Sequence, residues 1–261
     1  MATPCMPTNA ADWPEEPALY PYHALQALPA QRLLVLAPHP DDEVLGCGGL
    51  VAAMLAQGAT VQVVIVSDGA LGGDAAVRER ESMVAAQVLA ATSAPPEMVF
   101  WHLPDRGLAS SVDLDLRLQR LIDSSAPDCV LLPSPFEIHP DHRALCMAGL
   151  LAMQASGAGR DLLCYEVGQP LIPDVLVDIT AQVERKKAAL RCFGSQLAVQ
   201  AYDEQVLGLN RYRAYTLGPT VTHAEAFLRV SRQELKGGVQ SLLDAVDRRL
   251  RVRFGFDPVW R

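Results

Sequence analysis

The segment RLLVLA at 32–37 is too short for a core helix and too apolar for a surface strand, so it reads as a strand buried on both faces. Three more runs of the same kind follow: TVQVVIVSDG at 60–69, MVFWHLPD at 98–105 and DCVLLPSP at 128–135. Helix-like stretches separate them: VLGCGGLVAAMLAQG closing at Gly58, DAAVRERESMVAAQVLAA, and DLDLRLQRLIDSS. HPDHRALCMAGLLAMQASG supplies another after the fourth run. Parallel strands need long crossovers, and helical crossovers cover both faces of the sheet. The expectation is a single Rossmann-like three-layer α/β domain with a mostly parallel sheet.

Further along, DLLCYEV (161–167) and DVLVDI (174–179) read as strands, and TAQVERKKAALRCFG as a helix with Thr180 as its N-cap. Beyond about 195 the pattern weakens. TVTHAEAFLRV and the amphipathic run broken by Gly237-Gly238 carry no firm assignment. No linker composition divides the chain. The expected organisation is a Pro- and Ala-rich lead-in over 1–30, one domain over 31–230, and a helical extension over 231–261 packed on it.

His39-Pro40-Asp41-Asp42 recurs one hundred residues later as His139-Pro140-Asp141-His142. The echo runs into the helices, where Leu45, Gly49, Leu50 and Ala52 match Leu145, Gly149, Leu150 and Ala152. The expected local solution is the same twice: a buried strand, a loop ending in His, Pro at the first helical position, then polar residues in the first turn. In a doubly wound sheet of order 3-2-1-4 the first and fourth strands are neighbours, and ligands bind outside their carboxyl ends. The two motifs follow those two strands, so they should converge.

Convergence would place His39, Asp41, Asp42, His139, Asp141 and His142 in one cleft. Imidazole and carboxylate together suit Zn²⁺ or another first-row divalent ion, Fe²⁺ included. A catalytic zinc site takes three protein ligands and leaves one position open. In a helical first turn Asp41 and Asp42 would point about 100° apart, so one can hold metal while the other addresses water. Acids capping a helix would explain either motif alone, but not both at converging strand ends. The GCGGL cluster offers a second reading, a nucleotide- or S-adenosylmethionine-binding protein without catalytic metal. A phosphate cradle, however, needs its glycines between strand and helix, and these fall inside the helix.

A net charge of -8 and a pI near 5.2 exclude a general nucleic-acid binder, which needs a basic face. The six cysteines are scattered without zinc spacing and read as reduced core thiols. The N-terminus lacks the basic and apolar regions of a secretory signal, and no apolar stretch approaches the roughly 20 residues of a membrane span. A cytoplasmic protein with a small-molecule substrate is expected. Homo-oligomerisation stays open.

These motifs resemble the LmbE-like, or PIG-L-type, N-acetylglucosaminyl deacetylase family, which carries PHPDDE after its first strand and HPDH after a later one. The likeness runs from about 32 to 227. It takes in SDG at 67–69, Arg78 and Glu81, LPD at 103–105, YE at 165–166, VDIT at 177–180, KKAAL with Ser195-Gln196, and AEAF at 224–227. The resemblance implies zinc held by His39, Asp42 and His142, with Asp41 as general base. It implies that His139 stabilises the oxyanion or protonates the leaving amine, with Asp141 tuning the neighbouring histidine. Arg78 and Asp105 match positions that hold the sugar in relatives. The implied substrate is an N-acetyl amino sugar or N-acetylglucosamine conjugate, and the implied reaction is amide hydrolysis.

Two departures stand out. Glu137 occupies a place where some relatives have a tyrosine, and Cys192-Phe193-Gly194 stands where many have a histidine. His23, His102 and His223 have no ligand spacing and read as structural or surface residues. Glu166 could face the cleft or a neighbouring strand. The basic run RRLRVR at 248–253 reads as a solvated helix end.

Overall fold

The computed structural model describes residues 15–157, 159–236, 240, 243, 244 and 247. Its helices are α1 (Glu16–Leu19), α2 (Asp42–Ala56), α3 (Ala75–Ala90), α4 (Leu114–Ser125), α5 (Pro140–Ser156), α6 (Val183–Leu190), α7 (Gly194–Leu197), α8 (Tyr202–Arg213) and α9 (Arg232–Lys236). Its strands are β1 (Arg32–Ala37), β2 (Thr60–Ser67), β3 (Glu97–Leu103), β4 (Cys129–Pro133), β5 (Asp161–Tyr165), β6 (Val175–Asp178) and β7 (Ala224–Val230). The basic run at 248–253 and most of the expected C-terminal extension lie outside the described residues.

Alternation along β1 builds the layers. Leu33, Val35 and Ala37 join one apolar cluster with Leu50, Val51 and Met54 of α2, Leu89 of α3 and Leu190 of α6. Leu34 and Leu36 join the other, with Leu118 and Ile122 of α4 and Leu145, Leu150 and Met153 of α5. Successive strand residues point to opposite faces, so a continuous apolar run serves two cores at once. Burying each such side chain contributes roughly 1.5–3 kcal/mol.

The sheet has seven strands in the order β3-β2-β1-β4-β5-β7-β6. The expected 3-2-1-4 arrangement is present, with β1 parallel to both β2 and β4. The chain is a single α/β domain with a mostly parallel sheet between helices. The antiparallel exception is β7, paired with β5 on one side and β6 on the other. It lies in the TVTHAEAFLRV stretch that the pattern left unassigned. Glu225 interrupts its apolar alternation, although that side chain is fully buried. Part of the lead-in also reaches the sheet. Leu25 donates its N–H to Leu176 O at 2.8 Å and accepts from Asp178 N at 2.8 Å, extending the β6 edge. Thr180 is not a helix cap: it opens a 3₁₀ turn ahead of α6, and its hydroxyl accepts from Thr222 N.

Helix α2 is broken at Cys47 (φ -145°, ψ 19°), and an ion pair fills the break. Past it, Gly49 and Leu50 donate their N–H groups to the two oxygens of Glu225, each at 2.8 Å. Lys186 Nζ of α6 donates to Leu45 O at 2.9 Å, to Asn210 Oδ1 of α8 at 3.0 Å and to Glu225 Oε1 at 2.7 Å. One buried carboxylate and one buried ammonium thus join α2, α6, α8 and β7, each with its polar atoms satisfied. Gly49 is required there, because a Cβ would lie 2.6 Å from Ile179 Cγ2. At its echo Gly149 a Cβ would lie 2.5 Å from Leu132 Cδ2. Among the described residues no helix is long and apolar enough to cross a membrane.

Lys186→Met should leave the Glu225 carboxylate buried without a cation. Removing one partner of a buried pair costs about 3–5 kcal/mol, a loss that urea unfolding would read. An unchanged midpoint would show that the break in α2 does not depend on the pair.

Candidate active site

Because β1 and β4 are parallel neighbours, the loops leaving their carboxyl ends emerge side by side. His39 and His139 approach edge to face, with ring centroids 4.6 Å apart. His142 stands 5.4 Å from each of them. The cavity here has a volume of about 970 Å³, at the upper end of small-molecule sites. His39, Asp41, Asp42, Arg78, Asp105, His139 and His142 line it. Asp141 is wholly buried directly behind. All eight residues singled out in the sequence therefore gather at one place.

The two copies of the motif differ locally. In the second, Pro140 is the first helical residue, and His139 caps α5 by accepting Asp141 N–H at Nδ1 (3.2 Å). In the first, the expected Pro at the first helical position is not found. Helix α2 begins only at Asp42, and Asp41 precedes it with φ 127°. Asp41 and Asp42 thus do not share a helical turn. A positive φ costs a non-glycine residue of order 1–3 kcal/mol and persists only where neighbours hold it. Glu43 Oε2 accepts Asp41 N–H at 2.9 Å, and Arg78 Nη2 pairs with Asp41 Oδ2 at 3.1 Å. Arg78 also donates to Gly69 O and Pro40 O, each at 2.8 Å. It is a buried strut under Asp41 as well as part of the cavity wall.

Asp42 Oδ2 is the hub of the cluster. It lies 3.1 Å from His39 Nδ1 and 3.1 Å from His142 Nε2. His39 Nε2 faces Asp105 Oδ1 and Asp141 Oδ2, both at 3.3 Å. Asp141 also accepts Arg106 N–H at 2.6 Å and Leu108 N–H at 3.2 Å, so it pins the loop after β3. The imidazole that the Asp141 carboxylate meets is therefore His39, while its backbone N–H bonds the His139 ring. Asp105 ties a second loop by accepting Leu71 N–H at 3.1 Å.

Charge follows from this packing. Burial opposes a charge on His39, but Asp105, Asp141 and Asp42 outweigh it and raise its pKa to about 11. Burial would likewise raise Asp42, yet His142 and His39 hold it far below the ordinary carboxylate range. Asp105 is lowered to about 2, chiefly by its contact with His39. Burial and the adjacent Asp42 carboxylate push Asp41 well upward, against the pull of Arg78. Burial and the neighbouring imidazoles lower His139. A neutral His139 whose Nδ1 accepts an N–H carries its own proton on Nε2.

The donor set fits a divalent cation. Ligand atoms of His39, His139 and His142 lie within 4.8 Å of one another, as do those of His39, Asp105 and Asp141. Asp42, Asp105 and Asp141 crowd the single imidazole of His39. Three imidazoles with carboxylates and no thiolate suit zinc or iron.

Some features were not read in the sequence. Glu43 lies in the first turn of α2, where burial raises it to about 7 and its Oε2 holds the Asp41 backbone N–H. Glu166 does not enter the cavity: it pairs with Arg213 (Nε to Oε1, 2.9 Å) and accepts Leu171 N–H at 2.8 Å. Gln196, next to the Cys192-Phe193-Gly194 departure, lines the cavity and donates to Gly72 O at 3.1 Å. The GCGGL glycines lie inside α2, so the nucleotide reading loses the strand-to-helix loop it needs.

Residues 34–154 match the family described as PIG-L, GlcNAc-PI de-N-acetylase. The chain belongs to the PIG-L family. The conserved protein TT1542 from Thermus thermophilus shares the fold at TM-score 0.67 and 31% identity, covering 75% of this chain and 93% of that one. Diacetylchitobiose deacetylase of Thermococcus kodakarensis is 26% identical over 198 residues, 66% of this chain and 73% of the relative. 4-Oxalmesaconate hydratase of Pseudomonas putida is 26% identical over 208 residues, 68% of this chain and 79% of the relative. PIG-L relatives of this chain are therefore enzymes named for deacetylation or for hydration.

If Arg78 served only to bind a sugar, replacing it would spare the fold. The geometry predicts otherwise. Arg78→Ala should destabilise the protein by about 3–5 kcal/mol, since Asp41 is left buried and unpaired. Denaturant unfolding without substrate would measure this, and an unaltered midpoint would contradict the strut role.

Proposed function

We propose that this PIG-L protein is a metal-dependent hydrolase that removes an N-acetyl group from an amino sugar or N-acetylglucosamine conjugate. The observation that carries the reading is the meeting of His39, Asp42 and His142 at the ends of β1 and β4, with Asp41 beside them. The deacetylase among the relatives supports the substrate class.

His39, Asp42 and His142 would hold the ion, zinc by its donor preference and Fe²⁺ as an alternative. Such an ion supplies Lewis acidity toward an amide carbonyl and makes water acidic enough to lose a proton near neutral pH. Asp41 would accept the proton of the attacking water at its carboxylate. Its raised proton affinity suits a general base, and Arg78 keeps it aimed. His139 presents its Nε2–H at the half-exposed edge of the cavity, where it can donate to a developing oxyanion or to the departing amine. Asp105 lines the cavity between His39 and the Leu71 loop, and by its likeness to the family position it would meet sugar hydroxyls.

Asp41→Asn should retain the bound metal and lose turnover by about 10²–10⁴-fold, the usual worth of a general base. Metal analysis alongside acetate release from N-acetylglucosamine conjugates would test this, and undiminished turnover would remove the base assignment. Asp42→Ala should lose both metal and activity.

Stripping the ion with a chelator should abolish acetate release, and restoring Zn²⁺ or Fe²⁺ should recover it. The hydratase relative sets the competing outcome. Hydration of 4-oxalmesaconate, with no acetate released from any N-acetyl sugar, would overturn the deacetylase reading.

A further inference from the structure

Glu137 stands two residues before His139 and is fully buried, although no aspect of the proposed chemistry uses it. Its oxygens accept Val167 N–H at 2.7 Å and Gly168 N–H at 2.9 Å, the first backbone groups of the loop after Glu166. Oε2 also faces His142 Nδ1 at 3.6 Å. That distance is beyond hydrogen bonding, yet Nδ1 is buried and has no hydrogen-bond partner. The other nitrogen of the same ring, Nε2, points to Asp42 and the centre of the cluster.

An imidazole can ligate through Nε2 only when its proton sits on Nδ1. A carboxylate beside Nδ1 favours that tautomer and limits rotation of the ring. We infer that Glu137 is a positioning residue that sets the tautomer and orientation of His142, while the same carboxylate anchors the Val167–Gly168 wall of the cavity. The inference rests on the metal reading above. It also accounts for a departure visible in the sequence. A tyrosine at this position would supply a hydrogen-bond donor, whereas the Glu137 carboxylate is taken up by the Val167 and Gly168 N–H groups and faces His142.

Outer partners of metal-ligating histidines typically contribute about 10–100-fold in metal affinity. Zn²⁺ affinity of ion-stripped wild type and Glu137→Gln, measured by competition with a chelating dye, should therefore differ by that factor. The thermal midpoint of the same ion-free proteins reads the loop anchor separately. A lower midpoint with unchanged Zn²⁺ affinity would mean that Glu137 only clamps the loop, and would overturn the inference.

A second measurement does not need the variant to fold. Ring ¹⁵N shifts of ion-free wild type, with His142 assigned by its loss in His142→Gln, should show a proton on Nδ1, the nitrogen that faces Glu137. An Nδ1 without a proton overturns the inference. If wild type takes up no Zn²⁺, the metal reading fails, and the ¹⁵N shifts still decide the tautomer on their own.

Discussion

The parallel pairing of β1 with β4 is the constraint on which the site depends. Leu33, Leu34 and Val35 lie opposite Cys129, Val130 and Leu131. At the lower end, Asp128 accepts the N–H groups of Gln31 and Arg32, each at 2.9 Å, which helps hold that register. Parallel strands exit at the same edge, so residues one hundred positions apart emerge within ring contact. An antiparallel partner would carry the second loop to the opposite edge, about 16 Å away for five residues at 3.3 Å each. No choice of side chains could then have closed the cluster.

Buried charge is the second theme, and it is neutralised locally wherever it occurs. Behind the cavity wall at Leu45, Lys186 and Glu225 share a break in α2 and leave no polar atom of the pair idle. Glu166 and Arg213 do the same beside the β5 loop. At the cavity the balance differs. Asp42, Asp105 and Asp141 surround one imidazole, and backbone N–H groups help to satisfy the acids. Such a concentration of anions is expensive to desolvate unless a cation completes it. The structural pairs are closed, whereas the cluster at the strand ends gathers donor atoms that could hold a metal ion.

Comparison of the two motif copies shows how one sequence pattern serves two purposes. At His139-Pro140 the proline begins a regular helix, and the preceding imidazole becomes its cap. At His39-Pro40 the chain makes a strained turn, and Asp41 is held before the helix by Glu43 and Arg78. The strain separates Asp41 from Asp42, so the proposed base and the proposed ligand project from different backbone geometries. Backbone strain of this kind is characteristic of working sites.

By itself the sequence determined the layered α/β architecture, the neighbouring first and fourth strands, and the six motif residues that gather at their ends, while Arg78 and Asp105 followed from the family resemblance. Short doubly apolar runs and helical crossovers admit few topologies, and a repeated His-Pro-Asp motif at two strand ends names its own meeting point. Tertiary structure alone decided the rest. Strand β7 escaped notice because Glu225 breaks its apolar run, and only Lys186, thirty-nine residues away, makes that acid tolerable in the core. The kink at Cys47, the positive φ of Asp41, the contact of Asp141 with His39 and the inward turn of Glu137 all depend on partners distant in the chain. Local pattern carries the periodicity of burial, but the partner of a buried charge is fixed only when the strands and helices have packed.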